Sequence, residues 1–240
     1  MRSRWARVRD LVKDMVITID GPAGTGKSSV SLEVARRLGF GFLDTGAMYR
    51  AIGLAAARAG VSLDDVEGLG ALAEAVRVDF DWTAPTPLVR LNGEVVAELI
   101  RTEAASNAAS RVAVAPKVRE VMVRLQREVA GERGDLVTEG RDQGTVVFPE
   151  AELKVYLDGT AEARAGRRMR QLAQKGVSVD YRELLGQIME RDARDSGRAT
   201  SPLAAAGDAR TIDTTSLTQE EVTSLVVGWA KDAMGQTTRD

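Results

Sequence analysis

The strongest constraint on this chain is a glycine-rich loop of fixed spacing, Gly21-Pro22-Ala23-Gly24-Thr25-Gly26-Lys27-Ser28. It directly follows the apolar run Met15-Val16-Ile17-Thr18-Ile19, which reads as a strand. It opens an amphipathic stretch, Ser28 to Leu38, which reads as a helix that Gly39 ends. The pattern G-x-x-x-x-G-K-S between a strand and a helix is a phosphate loop, whereas a flexible glycine turn would have neither flank. Backbone N–H groups from Gly21 to Ser29 are expected to close around phosphates. Lys27 reaches the β and γ positions, and the Ser28 hydroxyl goes to magnesium. The positive end of the helix dipole adds to the cradle. A loop of this kind establishes a nucleotide but not a reaction.

Composition narrows the chemistry. Among 240 residues there is no histidine and no cysteine, so imidazole general bases, thiolate nucleophiles, disulfides and zinc-thiolate sites are excluded. Chemistry driven by positioning and electrostatics, such as phosphoryl transfer, survives that filter. Lys plus Arg at 33 nearly balances Asp plus Glu at 35, which gives no global field for nucleic acid or a membrane surface. With no membrane-length apolar run or signal-like segment, the expectation is a soluble, cytoplasmic protein. The Arg-rich lead, residues 1–14, carries Trp5, Val8 and Val12 at helical spacing but is read as a frayed extension.

Along the chain, Phe40 to Asp44 reads as a short strand running into a turn at Thr45-Gly46, and Ala47 to Ala59 as a helix stopped by Gly60. Leu63 to Ala75 reads as another helix. Val76, Val78, Phe80 and Trp82 then alternate with charged residues at the period of a half-buried strand. Leu88 to Leu91, Asn92-Gly93 and Glu94 to Ala97 spell a hairpin, so residues 71–110 are expected to be an antiparallel insertion. Helix returns from Pro116 to Ala130, followed by strands at Asp135 to Thr138 and Leu153 to Leu157. Helices from Ala161 to Lys175 and from about Asp180 follow, then a strand at Arg210 to Thr214. Thr218 and Glu221 form a capping box for the closing helix. Alternating strands and helices predict a doubly wound parallel α/β sheet with the phosphate loop at a strand's carboxyl end. The core would be 15–70 and 111–240, with a lid at about 160–178.

Charged residues must choose the reaction. Arg164, Arg167 and Arg168 fall at i, i+3 and i+4, on one helix face. They read either as a solvated surface or as an arginine-rich lid over a transferring phosphoryl group. The apolar face of Tyr181, Leu184, Leu185 and Ile188 continues into Arg191, Asp195 and Arg198. Charges on a core-facing stripe need internal pairing, such as Arg191 with Asp195, or an anionic ligand in a cleft. Glu139-Gly140-Arg141-Asp142 follows a buried strand and is either a polar turn or part of the same cleft. There Arg141 can hold phosphate and Asp142 can accept from a base amino group.

Together these segments resemble the cytidylate kinases. The resemblance rests on GPAGTGKSS from Gly21, LDTGAMYRA from Leu43, NAASRVAVAPKVR from Asn107, EGRDQGTVVFP from Glu139, RDARDSGR from Arg191 and SPLAAAGDA from Ser201. It runs from Met15 to the final helix, with Ser29 where some nucleotide kinases carry threonine. It implies the nucleoside monophosphate kinase fold, with the insertion over the monophosphate site, a monomer, and transfer from ATP with magnesium to CMP or dCMP. By position, Thr45, Tyr49, Arg50 and Arg141 would handle the acceptor phosphate. Ser110, Arg119 and Asp142 would read cytosine, while Arg191, Asp195 and Arg198 would approach sugar, base edge or phosphates. Lys27, Arg141, Arg168 and Arg191 would carry the catalysis electrostatically.

The base chemistry agrees. Cytosine offers a 4-amino donor beside acceptors at N3 and O2, so an aspartate with an arginine matches its edge. Uracil reverses the pattern at positions 3 and 4. The readings left open are a related kinase acting on UMP, AMP or another small acceptor, and a nucleotide-sensing module without turnover.

Overall fold

The structure, a computed structural model, describes residues 14–174, 176–198 and 200–237. Most of the leading extension, residues 1–13, lies outside them. Strand β1 (Val16–Asp20) is buried along nearly its whole length because it is covered on both sides, as parallel strands are. It pairs in parallel with β6 (Leu136–Glu139), Ile17 against Val137, and with β7 (Leu153–Asp158), Ile17 against Leu153. With β2 (Gly41–Asp44) and β8 (Arg210–Asp213) these form a five-stranded parallel sheet in the order β2-β6-β1-β7-β8. This is the doubly wound α/β arrangement expected from the strand and helix alternation.

Adjacent residues of one strand feed opposite cores. Leu136 joins Met48, Ile52, Val118 and Met122, whereas Val137 joins Ile17, Val30, Val34, Leu157 and Val226. The first core is covered by α2 (Thr45–Ala59) and α5 (Pro116–Arg133), the second by α1 (Lys27–Leu38) and α8 (Gln219–Thr237). Gly21, with φ +144°, begins the loop between β1 and α1, and a Cβ there would lie 2.0 Å from the Leu157 carbonyl oxygen. Only glycine fits that crossing.

Local rules set most boundaries. Gly39 and Gly60 close α1 and α2 in the left-handed conformation. Thr218 and Glu221 exchange both capping bonds at the start of α8. Two expected starts move. The Asp44 side chain accepts from the Ala47 backbone N–H at 2.9 Å, so α2 begins at Thr45 and the expected turn is its first turn. Asp65 likewise accepts from Gly68, so α3 is Val66–Ala75 and does not reach back to Leu63.

The antiparallel piece is a separate three-stranded sheet of β3 (Val78–Asp81), β4 (Leu88–Leu91) and β5 (Glu94–Val95). Asn92 and Gly93 turn it with φ of 52° and 83°, as the type I′ signal requires. Its inner residues Val78, Phe80, Val89 and Leu91 pack into the same core as α2. One element differs in kind from the expectation. Residues Glu103–Val112 form helix α4, capped by Thr102, rather than more of the antiparallel stretch. A Cβ on Gly53 of α2 would meet the Ala108 Cβ at 2.8 Å, so the two backbones are close and tertiary packing selects the helix. Helices α6 (Ala161–Gln174) and α7 (Tyr181–Ser196) follow β7 and pack on each other through Ala165, Leu184 and Ile188. No described helix is long and apolar enough to cross a membrane.

Candidate active site

The carboxyl ends of β1, β2 and β6 open onto one cavity of about 490 Å³, roofed by α4, α6 and α7. A cleft outside the carboxyl ends of parallel strands is where this architecture binds ligands. Its floor is the phosphate loop, with Ala23, Gly24, Gly26, Lys27, Ser28 and Ser29 on the wall. Gly24 and Gly26 adopt φ of 83° and 93°, which lets the loop curl so that α1 starts at the cavity. Thr25 is buried beneath it, its hydroxyl donating to the Pro22 carbonyl at 3.1 Å.

Lys27 is almost fully buried and its ammonium donates to the Pro22 carbonyl at 2.8 Å. Burial, then the guanidinium of Arg141, push its pKa down to about 7, against the pull of Glu139. Beside it the Ser28 hydroxyl donates to Oε1 of Glu139 at 2.5 Å. Burial first and Asp44 second raise the Glu139 carboxyl, opposed by Lys27. Serine hydroxyl and carboxylate are hard oxygen donors of the kind magnesium takes together with substrate phosphates. The described residues hold no cluster of three or more acidic or histidine groups, so a metal here would depend on those phosphates.

The opposite wall carries the other half of the site. Thr45 donates from its hydroxyl to the Glu139 carbonyl at 2.7 Å, and Arg50 pairs with Asp44 at 2.7 Å. Arg119 and Asp142, both about 5% exposed, form a buried ion pair. The Arg119 guanidinium also lies 5.7 Å from the centre of the Tyr49 ring, whose hydroxyl burial pushes up to about 12. Asp195, 1% exposed, is the hub of the charged stripe. It takes Arg141 at 2.9 Å and Arg198, with Arg191 at 4.0 Å, while the Ser110 hydroxyl donates to it at 3.4 Å. Burial would raise its carboxyl, but Arg141, Arg198 and Arg191 outweigh that and hold it below the usual range. The stripe is thus internally paired through Asp195, and it also lines the cavity.

The arginines nevertheless keep donors in hand. The buried Nε groups of Arg50, Arg119, Arg191 and Arg198 have no hydrogen-bond partner in the protein. Each such group is costly to bury unmatched. Arg191 is pushed down to about 10, by burial first and then by Arg141, as expected for a cation surrounded by others.

The three arginines of α6 do not act as a set. Arg164 is buried, donating to the carbonyls of Gly159 at 2.9 Å and Ala23 at 3.0 Å and pairing with Asp192 at 2.6 Å. Helical spacing put it on the right face, but its position one turn nearer β7 sinks it into the base of the loop. Arg167 donates to Thr214 and, with Arg168, lines the cavity. Sequence reasoning left Glu139 without a role, although its place at the carboxyl end of β6 was a usable signal. It also overlooked Asp20, whose carboxylate accepts from the backbone N–H groups of Gln143 and Gly144. Burial raises that carboxyl to about 7 despite those bonds, with Asp142 adding to the rise.

A family model described as cytidylate kinase matches residues 17–232. A cytidylate kinase of Aeromonas salmonicida is 46% identical over 220 residues, covering 92% of this chain and 95% of its own. One from Pasteurella multocida is 47% identical over 208 residues, 87% of this chain and 91% of the relative. The crystal structure of an uncharacterized protein from Eubacterium ventriosum superposes with a TM-score of 0.51 at 14% identity, over 92% of this chain and 99% of that one. At that identity the likeness bears on the fold alone.

Proposed function

The chain belongs to the cytidylate kinase family, and from that membership we infer that it transfers the γ-phosphoryl group of ATP to CMP and dCMP, forming the diphosphates. The observation that carries the acceptor half is the buried Arg119–Asp142 pair facing the phosphate loop across one cavity. Its carboxylate accepts from the cytosine 4-amino group while Arg119 and Ser110 donate toward N3 and O2. Uracil would set its O4 against the carboxylate, two acceptors in a dry site. Arg50, Arg141, Thr45 and Tyr49 handle the acceptor phosphate, while Arg191, Asp195 and Arg198 approach the sugar, base edge or phosphates.

The phosphate nucleophile of CMP is already ionised near neutrality, so in-line attack on the γ phosphorus needs no general base, in keeping with a chain free of histidine. Lys27 follows the β and γ oxygens, while Arg141, Arg168 and Arg191 supply positive charge to the transferring group. Magnesium, when bound with the nucleotide, would supply positive charge that offsets the charge on the transferring phosphates. Ser28 and Glu139 are the residues here that would hold it, the hydroxyl directly and the carboxylate beside it. Residues 71–110 serve as the monophosphate-binding insertion and the α6 region, about 160–178, as the lid that excludes water, closing over a core of 15–70 and 111–240. The enzyme works as a monomer in the cytoplasm, on small-molecule substrates.

Steady-state rates with magnesium and ATP should rank CMP and dCMP above UMP and AMP by about a hundredfold in kcat/KM. A preference for UMP or AMP would overturn the reading, and binding of CMP and ATP with no diphosphate formed would make the protein a sensor.

Nucleotide binding should also move protons. Lys27 titrates near 7 in the free enzyme, so it is already charged below that pH and neutral above it. Phosphates raise its pKa back, so ATP binding takes up protons on the alkaline side of neutrality, and affinity falls as pH rises there. Calorimetry in buffers of different ionisation enthalpy measures this. No buffer dependence at alkaline pH would contradict it.

A further inference from the structure

The loop that presents Arg141 and Asp142 leaves the end of β6 and turns at once into a single π-helical turn, Gln143–Val147. That turn is closed by Val146 and Val147 donating to the Asp142 carbonyl and by Phe148 donating to that of Gln143. Its first amides, on Gln143 and Gly144, have no carbonyl behind them, as at the start of any helical turn. Both lie in the interior, where an unmatched N–H is costly.

Asp20 answers both. Its Oδ1 accepts from the Gln143 N–H at 2.9 Å and its Oδ2 from the Gly144 N–H at 2.7 Å, across 123 and 124 residues of sequence. Neighbouring contacts fix the same turn to β1. The Gly140 N–H donates to the Ile19 carbonyl at 3.1 Å, and a Cβ on Gly144 would lie 2.9 Å from the Thr18 hydroxyl. The Gln143 side chain is held at both ends, accepting from the Thr138 hydroxyl at 2.8 Å and donating to Gln126 at 3.0 Å. Asp20 is also the residue immediately before Gly21, the first residue of the phosphate loop.

We propose that Asp20 is a positioning residue for the acceptor nucleotide: its carboxylate, anchored at the root of the phosphate loop, holds the turn that aims Asp142 and Arg141 into the cavity. The donor cradle and the acceptor-reading loop are thereby registered through one side chain. A carboxylate suits this place as no other group does, since it offers two acceptor oxygens and no donor to a pair of N–H groups. Asparagine, nearly the same in shape, satisfies one amide and turns its own NH₂ against the other. The proposal rests on Asp142 reading cytosine, so its test includes a variant of each aspartate.

In the full-length enzyme, Asp20→Asn should raise KM for CMP about tenfold and cut the preference for CMP over UMP, while KM for ATP with magnesium stays within about twofold. A merely structural loss would lower the active fraction or kcat and leave both KM values alone, and that outcome, or equal rises in both, would overturn the proposal. If Asp142→Asn changes the CMP to UMP ratio while Asp20→Asn moves neither KM, Asp20 has no positioning role. If Asp142→Asn leaves the ratio intact, the cytosine reading fails, and amide exchange then decides the role of Asp20 in aiming the loop. That measurement uses the wild-type protein and so does not depend on the variant folding. The Gln143 and Gly144 amides should be as protected from hydrogen exchange as those of β1, and rapid exchange at both would refute the anchoring.

Discussion

Lys27→Met should lower kcat for CMP phosphorylation by about two to three orders of magnitude and leave the fold intact. Methionine keeps the unbranched stem that fills the buried site, where Lys27 is 5% exposed, and removes only the ammonium. That ammonium makes one hydrogen bond to the protein, to the Pro22 carbonyl, so little of the scaffold depends on it. Burial and Arg141 already press its charge out, and a neutral side chain relieves that pressure. The melting temperature should therefore hold steady or rise, as it does when an unfavourably buried cation is replaced by an apolar group. Loss of kcat with a stable fold means the charge acts on the transition state. A rise in KM for ATP with unchanged kcat would mean uniform binding of ground and transition states, and would remove Lys27 from catalysis.

The parts of this molecule written in short-range patterns were legible before the structure. The phosphate loop, the Asn92-Gly93 hairpin, the glycine stops and the Thr218–Glu221 box each depend on a few neighbouring residues. Helix α4 went unread although it is amphipathic at the helical period and capped by Thr102, because the Asn92-Gly93 hairpin just before it carried the antiparallel reading on to residue 110. Its close seat against Gly53 of α2, some fifty residues away, is the part that only the structure shows. The same limit explains the arginines of α6. Periodicity assigns Arg164, Arg167 and Arg168 to one face, but the depth along the helix at which that face stops being cavity and becomes interior is set by where β7 and the loop carbonyl of Ala23 lie. Asp20 is the extreme case: in the sequence it is merely the last residue of a strand, and its partners are the amides of a turn formed by a distant segment. The charged stripe on α7 posed a question that sequence could not close, because a pairing partner of Asp195 in the structure, Arg141, comes from a distant loop.

Asp142→Asn tests the specificity half of the site, and its expected result is a collapse of the preference for CMP over UMP by about a hundredfold. Asparagine is the informative substitution because its Oδ1 can still accept from Arg119, so the buried guanidinium is not left without a partner as it would be with alanine. What changes is the other edge. Ionised aspartate only accepts, which suits the cytosine 4-amino group and repels uracil O4, whereas an amide can turn its NH₂ toward O4. The loss for CMP is a hydrogen bond to a charged group, worth about 1.5–3 kcal/mol, or roughly ten- to a hundredfold in kcat/KM. Relief of the acceptor-to-acceptor clash raises kcat/KM for UMP at the same time, and the two changes multiply in the ratio. KM for ATP should hardly move, because no phosphate-loop residue bonds to Asp142. Steady-state kinetics with both acceptors gives the ratio directly. If it survives the substitution, the base is read elsewhere in the cavity, and Ser110 with the Asp195 cluster becomes the place to look.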